Sequence, residues 1–152
     1  MKLSELLKEN SIIEIKAKDR EGVLKDFVNH LAKLDLITDS DELYQKLLDR
    51  EKIESTAIEN NVAIPHCKIE NLQEPILIVG ISKNGVAFSS NENSLTKIFF
   101  LVISPIDLPA LHLKILASVA KITKSKDLLK KIINAENLYE IKQLIKEEEN
   151  LS

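Results

Sequence analysis

The chain has 152 residues, of which 44% are hydrophobic and 30% charged, a balance typical of a globular protein with a sizeable core. Its 24 acidic residues outnumber its 21 lysines and arginines, which gives a formal charge of −3, and only 4% of its residues are aromatic. Because nucleic-acid binding is driven by basic surfaces, this composition argues against a nucleic-acid partner.

The sequence also indicates where the protein works. Its single cysteine, Cys67, cannot form an internal disulfide, and no C-x-x-C motif is present for zinc or redox chemistry. The N-terminal segment is too polar for a signal peptide, and no apolar run approaches the roughly 18 residues of a membrane-spanning helix. We therefore expect a soluble cytoplasmic protein that forms one domain over residues 1–152, does not insert into membranes, and needs neither a cofactor nor a metal.

The first half of the chain predicts a strand followed by two helices. Residues 11–17 are rich in isoleucine and partly alternating, which is typical of a strand. Asp19 has the side chain of an N-cap and predicts a helix running to about Leu34. A second helix is predicted from about Ser40 to Glu51, with Arg50 at or near its C-terminal end.

Two apolar runs in the middle of the chain, 75–82 and 97–104, have the length of strands. Because they are apolar throughout, they predict central strands that are covered on both faces of a sheet. The dipeptide Asn84–Gly85 is typical of a tight turn and predicts a hairpin whose partner strand begins at Val86.

The last part of the chain predicts three helices, over residues 108–122, 126–135 and 137–149. Asn137 and Glu140 have the spacing of a capping box, and the final charged run, 146–150, predicts a solvated, fraying end. The whole pattern favours an α/β or α+β fold with one mixed sheet between helical layers.

The stretch from Arg50 to Lys68 has the features of a phosphate-handling site. A short apolar run leads into Pro65, which has no N–H to give to a sheet and therefore marks a strand end or edge. His66 is thus predicted at a strand end. Its imidazole is a nucleophile, and the guanidinium of Arg50 is a planar, multi-donor partner for phosphate oxygens.

This stretch reads R-E…S-T-x-I-x-N-x-V-A-I-P-H and resembles the active-site signature of enzyme IIA in the bacterial sugar phosphotransferase system. The subtype is the fructose/mannitol kind, which includes nitrogen-regulatory relatives. A second segment, 112–117, is similar to the family's H-L-x-x-L-A helix. The resemblance covers nearly the whole chain and implies a mixed sheet of about five strands flanked by helices on both faces.

The resemblance implies a role for each matching residue. His66 would accept a phosphoryl group as a tele-phosphohistidine, and His112 would lie beside it to donate a hydrogen bond or set the electrostatics. Arg50 would supply fixed positive charge, with Ser55 and Thr56 as further donors to phosphate. The attacking nitrogen must be unprotonated near neutral pH, and the other ring nitrogen should be held by an acceptor. Since His112 lies near a helix start, we expect it to be partly exposed.

The implied function is that of a phosphocarrier. It would accept the group from phosphorylated HPr, or from its nitrogen-branch counterpart, and pass it to an enzyme IIB, alone or together with a membrane IIC. Two alternatives stay open: a nitrogen-type regulator, and a binding module that has lost transfer and acts by protein contacts.

Other chemistry at these residues is less favoured by the sequence. A metal site at His66 and His112 lacks a clear third ligand. A nucleophilic pair of Cys67 with His66 is geometrically poor, because adjacent residues of an extended chain point to opposite faces. His30 has no motif around it, and we expect it to be structural.

The chain departs from the family at four positions where glycine is common. They are occupied by Glu54, Glu59, Asn61 and Cys67. Asparagine tolerates a left-handed backbone better than most residues, so Asn61 suits such a position. The effect of Glu59 and Cys67 on the shape of the loop stays open.

Overall fold

The structure, a computed structural model, describes residues 2–89 and 94–151. Within these ranges a mixed open sheet of six strands is flanked by six helices, which confirms the predicted fold class. The helices are α1 (Leu3–Leu6), α2 (Arg20–Lys33), α3 (Ser40–Ile53), α4 (Pro109–Ile122), α5 (Lys126–Asn134) and α6 (Leu138–Asn150). The strands are β1 (Ile12–Glu14), β2 (Ala57–Ile58), β3 (Val62–Ala63), β4 (His66–Ile69), β5 (Ile76–Val86) and β6 (Thr96–Pro105). None of the described helices is long and apolar enough to cross a membrane.

The sheet is organised around β6. Its order is β1-β5-β6-β3-β2, and β4 also pairs with β6. Strands β5 and β6 are antiparallel, whereas β3 and β4 both run parallel to β6. Because β5 occupies one edge of β6, β3 and β4 lie one after the other along its opposite edge.

The two faces of β6 are covered by different helical layers, as the continuous apolar character of this strand predicts. One face packs with α1, α4, α5 and α6 through Ile98, Phe100 and Val102. The other face packs with α2 and α3 through Phe99, Leu101 and Ile103. All six side chains are essentially inaccessible to solvent, and burying each contributes about 1.5–3 kcal/mol.

Two predicted helix starts are confirmed by their capping contacts. The Asp19 carboxylate accepts a hydrogen bond from the backbone N–H of Gly22 at 2.7 Å. The Asn137 side chain accepts one from the N–H of Glu140 at 2.9 Å, and the Glu140 carboxylate accepts one from the N–H of Glu136 at 3.0 Å. These contacts satisfy N–H groups that have no partner within a helix.

The hairpin predicted at Asn84–Gly85 is wrong. Strand β5 continues to Val86, which pairs with Thr96 of β6, and the pairing shifts register between Ile81 and Val86. Gly85 has φ of +81°, so its conformational freedom serves this irregularity inside the strand and not a turn. The strand that pairs with β5 is therefore β6.

The predicted solvated end of the chain is also partly wrong. Helix α6 continues to Asn150, and Glu149 is buried. Its carboxylate accepts hydrogen bonds from the backbone N–H groups of Leu3 at 2.6 Å and Ser4 at 3.1 Å. The last turn of α6 thus holds the first turn of α1.

Candidate active site around His66

The backbone of His66 is fixed by β6. Strands β3 and β4 are separated by Ile64 and Pro65, and His66 is the first residue of β4, opposite Val102. The N–H of Val102 donates to the carbonyl of Pro65 at 3.0 Å. Because paired residues of neighbouring strands share a face, the side chain of His66 lies on the face that α4 covers.

The half-buried ring of His66 is held in one tautomer. Its Nδ1 lies 2.7 Å from the carbonyl oxygen of Ile64. A carbonyl only accepts, so Nδ1 carries the proton and the lone pair is on Nε2. Burial lowers the pKa of His66, and the nearby charges of Arg50 and Lys68 lower it further against the opposing effect of the Ile64 bond. At neutral pH the ring is therefore uncharged, with its lone pair on Nε2.

His112 lies beside His66, with the ring centroids 5.5 Å apart and the planes inclined by 52°. The expectation that it is partly exposed is wrong, because only 5% of it is accessible. It shares the sheet-facing side of α4 with Ile115, Val119 and Ile122, at helical spacing.

The only hydrogen-bond partner that the described residues offer the His112 side chain is Ser104 of β6. Its Nδ1 lies 2.6 Å from the Ser104 hydroxyl, which is fully buried. Burial, together with the nearby His66 and Lys68, lowers the pKa of His112 to about 4. His112 is therefore neutral at physiological pH.

Arg50 lies in the last turn of α3. One guanidinium nitrogen donates to the carbonyl of Glu54 at 2.7 Å, which ties the side chain to the segment that follows the helix. The charge of Arg50 contributes to the lowered pKa of His66. The structure thus brings His66 of β4 and His112 of α4 together, and the charge of Arg50 in α3 acts on His66.

Glu51 organises the turn after α3, a role that was not predicted from the sequence. Glu51 is buried, and its carboxylate accepts the N–H of Thr56 at 2.9 Å and its hydroxyl at 2.6 Å. Both donors of Thr56 are therefore engaged, and this residue supports the turn. The Ser55 hydroxyl accepts the N–H of Ala57 at 3.1 Å, and among the described residues it donates to no acceptor.

The surroundings of the Glu51 carboxylate shift its pKa in opposite directions. Burial raises its pKa, whereas the bonds from Thr56 and the charges of Arg50 and Arg20 lower it. These two residues are the only arginines in the sequence, and both act on the same buried carboxylate.

The loop between β2 and β3 contains two residues with a left-handed backbone, and one of them is at a position where the family often has glycine. Asn60 and Asn61 are left-handed, with φ of 65° and 64°. Their side-chain amides donate to the carbonyls of Thr123 at 3.3 Å and Leu95 at 2.7 Å, respectively. Asn61 therefore serves as expected, whereas the described backbone is not left-handed at Glu59 or at Cys67.

The alternative chemistry at these residues gains no support from the geometry. Cys67 packs among the core residues of the α2–α3 layer, on the opposite face from His66, and burial raises the pKa of its thiol to about 12. The part of the chain that the structure describes has no group of three or more His, Cys, Asp or Glu that could hold a metal ion. His30 contacts the carbonyl of Asn10 at 2.7 Å.

The buried, neutral state of His112 predicts a loss of stability in acid. The folded chain takes up a proton on His112 only near pH 4, whereas an unfolded histidine does so near pH 6.5. Between these values the unfolded state binds more protons, so the free energy of unfolding should fall by roughly 3 kcal/mol as the pH drops through this window. Urea unfolding at a series of pH values between 4 and 8 measures how the free energy of unfolding depends on pH.

The matched variants for this measurement are His112→Gln and His30→Gln. His112→Gln should flatten the dependence of the free energy of unfolding on pH between pH 6.5 and pH 4. His30→Gln, at a histidine outside the site, should keep the wild-type dependence. If wild type and His112→Gln lost stability equally with falling pH, the lowered pKa of His112 would not be the cause of the acid destabilisation.

Comparison with known proteins connects this geometry to a family. Residues 5–148 match the model of the family described as "Phosphoenolpyruvate-dependent sugar phosphotransferase system, EIIA 2". The chain is 28% identical over 138 residues to the PTS system fructose-specific EIIABC component of Bacillus subtilis, covering 90% of this chain and 22% of that protein. It is 28% identical over 134 residues to the nitrogen regulatory protein of Pseudomonas aeruginosa, covering 86% of this chain and 87% of that protein.

Solved structures show the same fold. The nitrogen regulatory protein IIA-Ntr from Neisseria meningitidis superposes with a TM-score of 0.85 at 17% identity, covering 94% of this chain and 98% of that one. The enzyme IIAMTL–phosphorylated enzyme IIBMTL complex from Escherichia coli gives a TM-score of 0.79 at 18% identity, covering 93% and 97%. Since the family model spans nearly the whole sequence, the chain belongs to the EIIA 2 family of the phosphoenolpyruvate-dependent sugar phosphotransferase system.

Proposed function

We propose that this protein is a phosphocarrier that accepts a phosphoryl group on Nε2 of His66. The donor is a phosphorylated HPr-type carrier protein, and the acceptor is an enzyme IIB in sugar uptake. The observation that carries the proposal is the state of His66, which is neutral, fixed as the Nδ1–H tautomer, and within the electrostatic reach of Arg50. In this proposal the protein acts in the cytoplasm.

The transfer step exchanges one P–N bond for another. The lone pair on Nε2 of His66 attacks phosphorus, and the electron pair of the broken bond stays on the donor's imidazole nitrogen. The proton on Nδ1 remains on the ring, where the carbonyl of Ile64 stabilises the positive charge that the ring acquires. No other covalent change is required, which fits a reaction that depends on positioning and charge stabilisation.

The other residues act on the phosphoryl oxygens or support the groups that do. Arg50 provides a fixed positive charge, and its planar donors match phosphate geometry. His112 provides an N–H donor at a neutral ring, and Ser55 provides a hydroxyl that donates to no acceptor among the described residues. Glu51 and Thr56 hold the turn between Arg50 and β2.

The assignment of partners follows the family and its relatives. The E. coli structure is a complex of an enzyme IIA with a phosphorylated enzyme IIB, and that IIA has the fold of this chain. The B. subtilis relative is named as a fructose-specific EIIABC component. Both support an enzyme IIB as the acceptor.

A reconstituted transfer reaction tests the proposal. Purified protein is mixed with phosphoenolpyruvate, enzyme I and HPr, and its intact mass is followed; an enzyme IIB is then added. We expect the mass of one phosphoryl group to appear and then to be transferred to the IIB. The nitrogen-regulatory relatives make regulation the second candidate, and phosphorylation without transfer to IIB would favour it. If neither HPr nor its nitrogen-branch counterpart phosphorylated the protein, the proposal would fail and a binding module that acts by protein contacts would be favoured.

A further inference from the structure

We propose that Ser104 is a positioning residue for this transfer. Its hydroxyl donates to Nδ1 of His112 and so keeps the His112 proton on Nε2, where it serves as the donor to the phosphoryl group on His66. The inference rests on the proposed function of His66 and adds the residue that sets the tautomer of its neighbour.

The position of Ser104 suits this role. It lies near the end of β6, on the same face as Val102 two residues earlier, and this face packs against α4. The hydroxyl is fully buried and lies 2.6 Å from Nδ1 of His112. Such a distance is at the short end for a hydrogen bond between a hydroxyl and a ring nitrogen.

The direction of this bond follows from counting protons. A serine hydroxyl has one proton, and in the described residues the Ser104 side chain has no hydrogen-bond partner other than His112. If Nδ1 donated, the hydroxyl proton would be buried without an acceptor, at a cost of about 1–3 kcal/mol. If the hydroxyl donates, the hydroxyl and Nδ1 are both satisfied, and Nε2 is not among the buried side-chain atoms of the described residues that lack a hydrogen-bond partner. The ring then carries its single proton on Nε2, because His112 is neutral at physiological pH.

The two neighbouring histidines are thereby held in opposite tautomers. The carbonyl of Ile64 leaves a lone pair on Nε2 of His66, and the hydroxyl of Ser104 leaves an N–H on Nε2 of His112. With their ring centroids 5.5 Å apart, one ring supplies the nucleophile and the other a donor to the oxygens being transferred. In the reverse tautomer His112 would present a lone pair to anionic oxygens, which repels them.

Nitrogen-15 NMR of the unphosphorylated protein tests the tautomer without any transfer reaction. We expect the wild type to show His112 protonated on Nε2 at pH 7, and Ser104→Ala to show a mixture of both tautomers. A wild-type ring protonated on Nδ1 would overturn the inference, whether or not His66 is phosphorylated.

Rapid-quench phosphorylation by phospho-HPr tests the consequence. We expect Ser104→Ala to lower the maximal rate by about tenfold, less than the roughly 10²–10³ for complete loss of a donor, with the KM for phospho-HPr unchanged. Ser104→Thr, which keeps the hydroxyl, should restore most of the rate. The matched control is Ser82→Ala, at a buried serine of β5, which should transfer at the wild-type rate.

The outcomes separate the two proposals. A phosphorylated wild type with an unchanged rate in Ser104→Ala would overturn the role of Ser104 and leave the function of His66 intact. Equal losses in Ser104→Ala and Ser82→Ala would also overturn it, because they would show a general effect of removing a buried hydroxyl. A wild type that accepts no phosphoryl group would overturn the proposed function and this inference with it.

Discussion

His66→Ala should accept no phosphoryl group from phospho-HPr under conditions in which the wild type is fully phosphorylated. The substitution removes the imidazole that lies beside His112 and feels the charge of Arg50, and the thiol of Cys67 faces the other side of the sheet. Intact-mass spectrometry after incubation with the donor system measures the effect. The wild-type adduct should be labile in acid and stable in alkali, as a phosphoramidate is.

The matched control for this experiment is His30→Ala. The one hydrogen-bond partner of the His30 side chain among the described residues is the carbonyl of Asn10, outside the site, so its loss should leave phosphorylation unchanged. A phosphoryl mass retained in His66→Ala would place the acceptor elsewhere and contradict the proposed mechanism.

The second large effect is expected at Arg50. Arg50→Ala should slow phosphorylation by roughly 10²–10³, the usual result of removing one donor to developing charge. Arg50→Lys should also be slower than wild type although the charge is kept, because an ammonium is a point charge and cannot reproduce the planar, two-point contact of a guanidinium with phosphate. Initial rates from rapid-quench experiments measure both.

Arg20→Lys is the matched control for Arg50→Lys. It makes the same substitution at the other arginine, whose charge acts on Glu51 and whose side chain pairs with Glu21 at 2.8 Å. We expect this variant to be phosphorylated at nearly the wild-type rate. Equal initial rates for wild type and Arg50→Lys would show that Arg50 is only a helix-end residue.

Elements with local signals could be predicted from the sequence. The caps at Asp19 and Asn137 act within four residues, and the structure shows both. The central position of β6 was predictable because a strand that is covered on both faces is apolar throughout. The hairpin prediction at Asn84–Gly85 failed because a left-handed glycine serves a bulge as well as a turn, and the choice depends on how β5 pairs with β6.

The environment of the site could be predicted only in part. The burial of His112 depends on how α4 packs over the sheet, and its bond to Ser104 joins two elements, so neither follows from local sequence. Glu51, however, left a usable signal. It follows Leu43 and Leu47 at intervals of four, which places a carboxylate on the buried side of α3. A charged residue on such a face needs a partner, and Thr56 provides it.

The break between β3 and β4 has a consequence for conformational entropy. The main chain pairs with β6 on both sides of the break, through Ala63 before it and His66 after it, and the carbonyl of Pro65 within the break also accepts a hydrogen bond from β6. Fixing the backbone of one residue costs about 1–2 kcal/mol, and here that ordering is complete when the chain has folded. In the proposed cycle His66 meets one protein to receive a group and another to release it. Both encounters then begin from the same fixed main-chain geometry, and neither has to order the backbone of the nucleophile first.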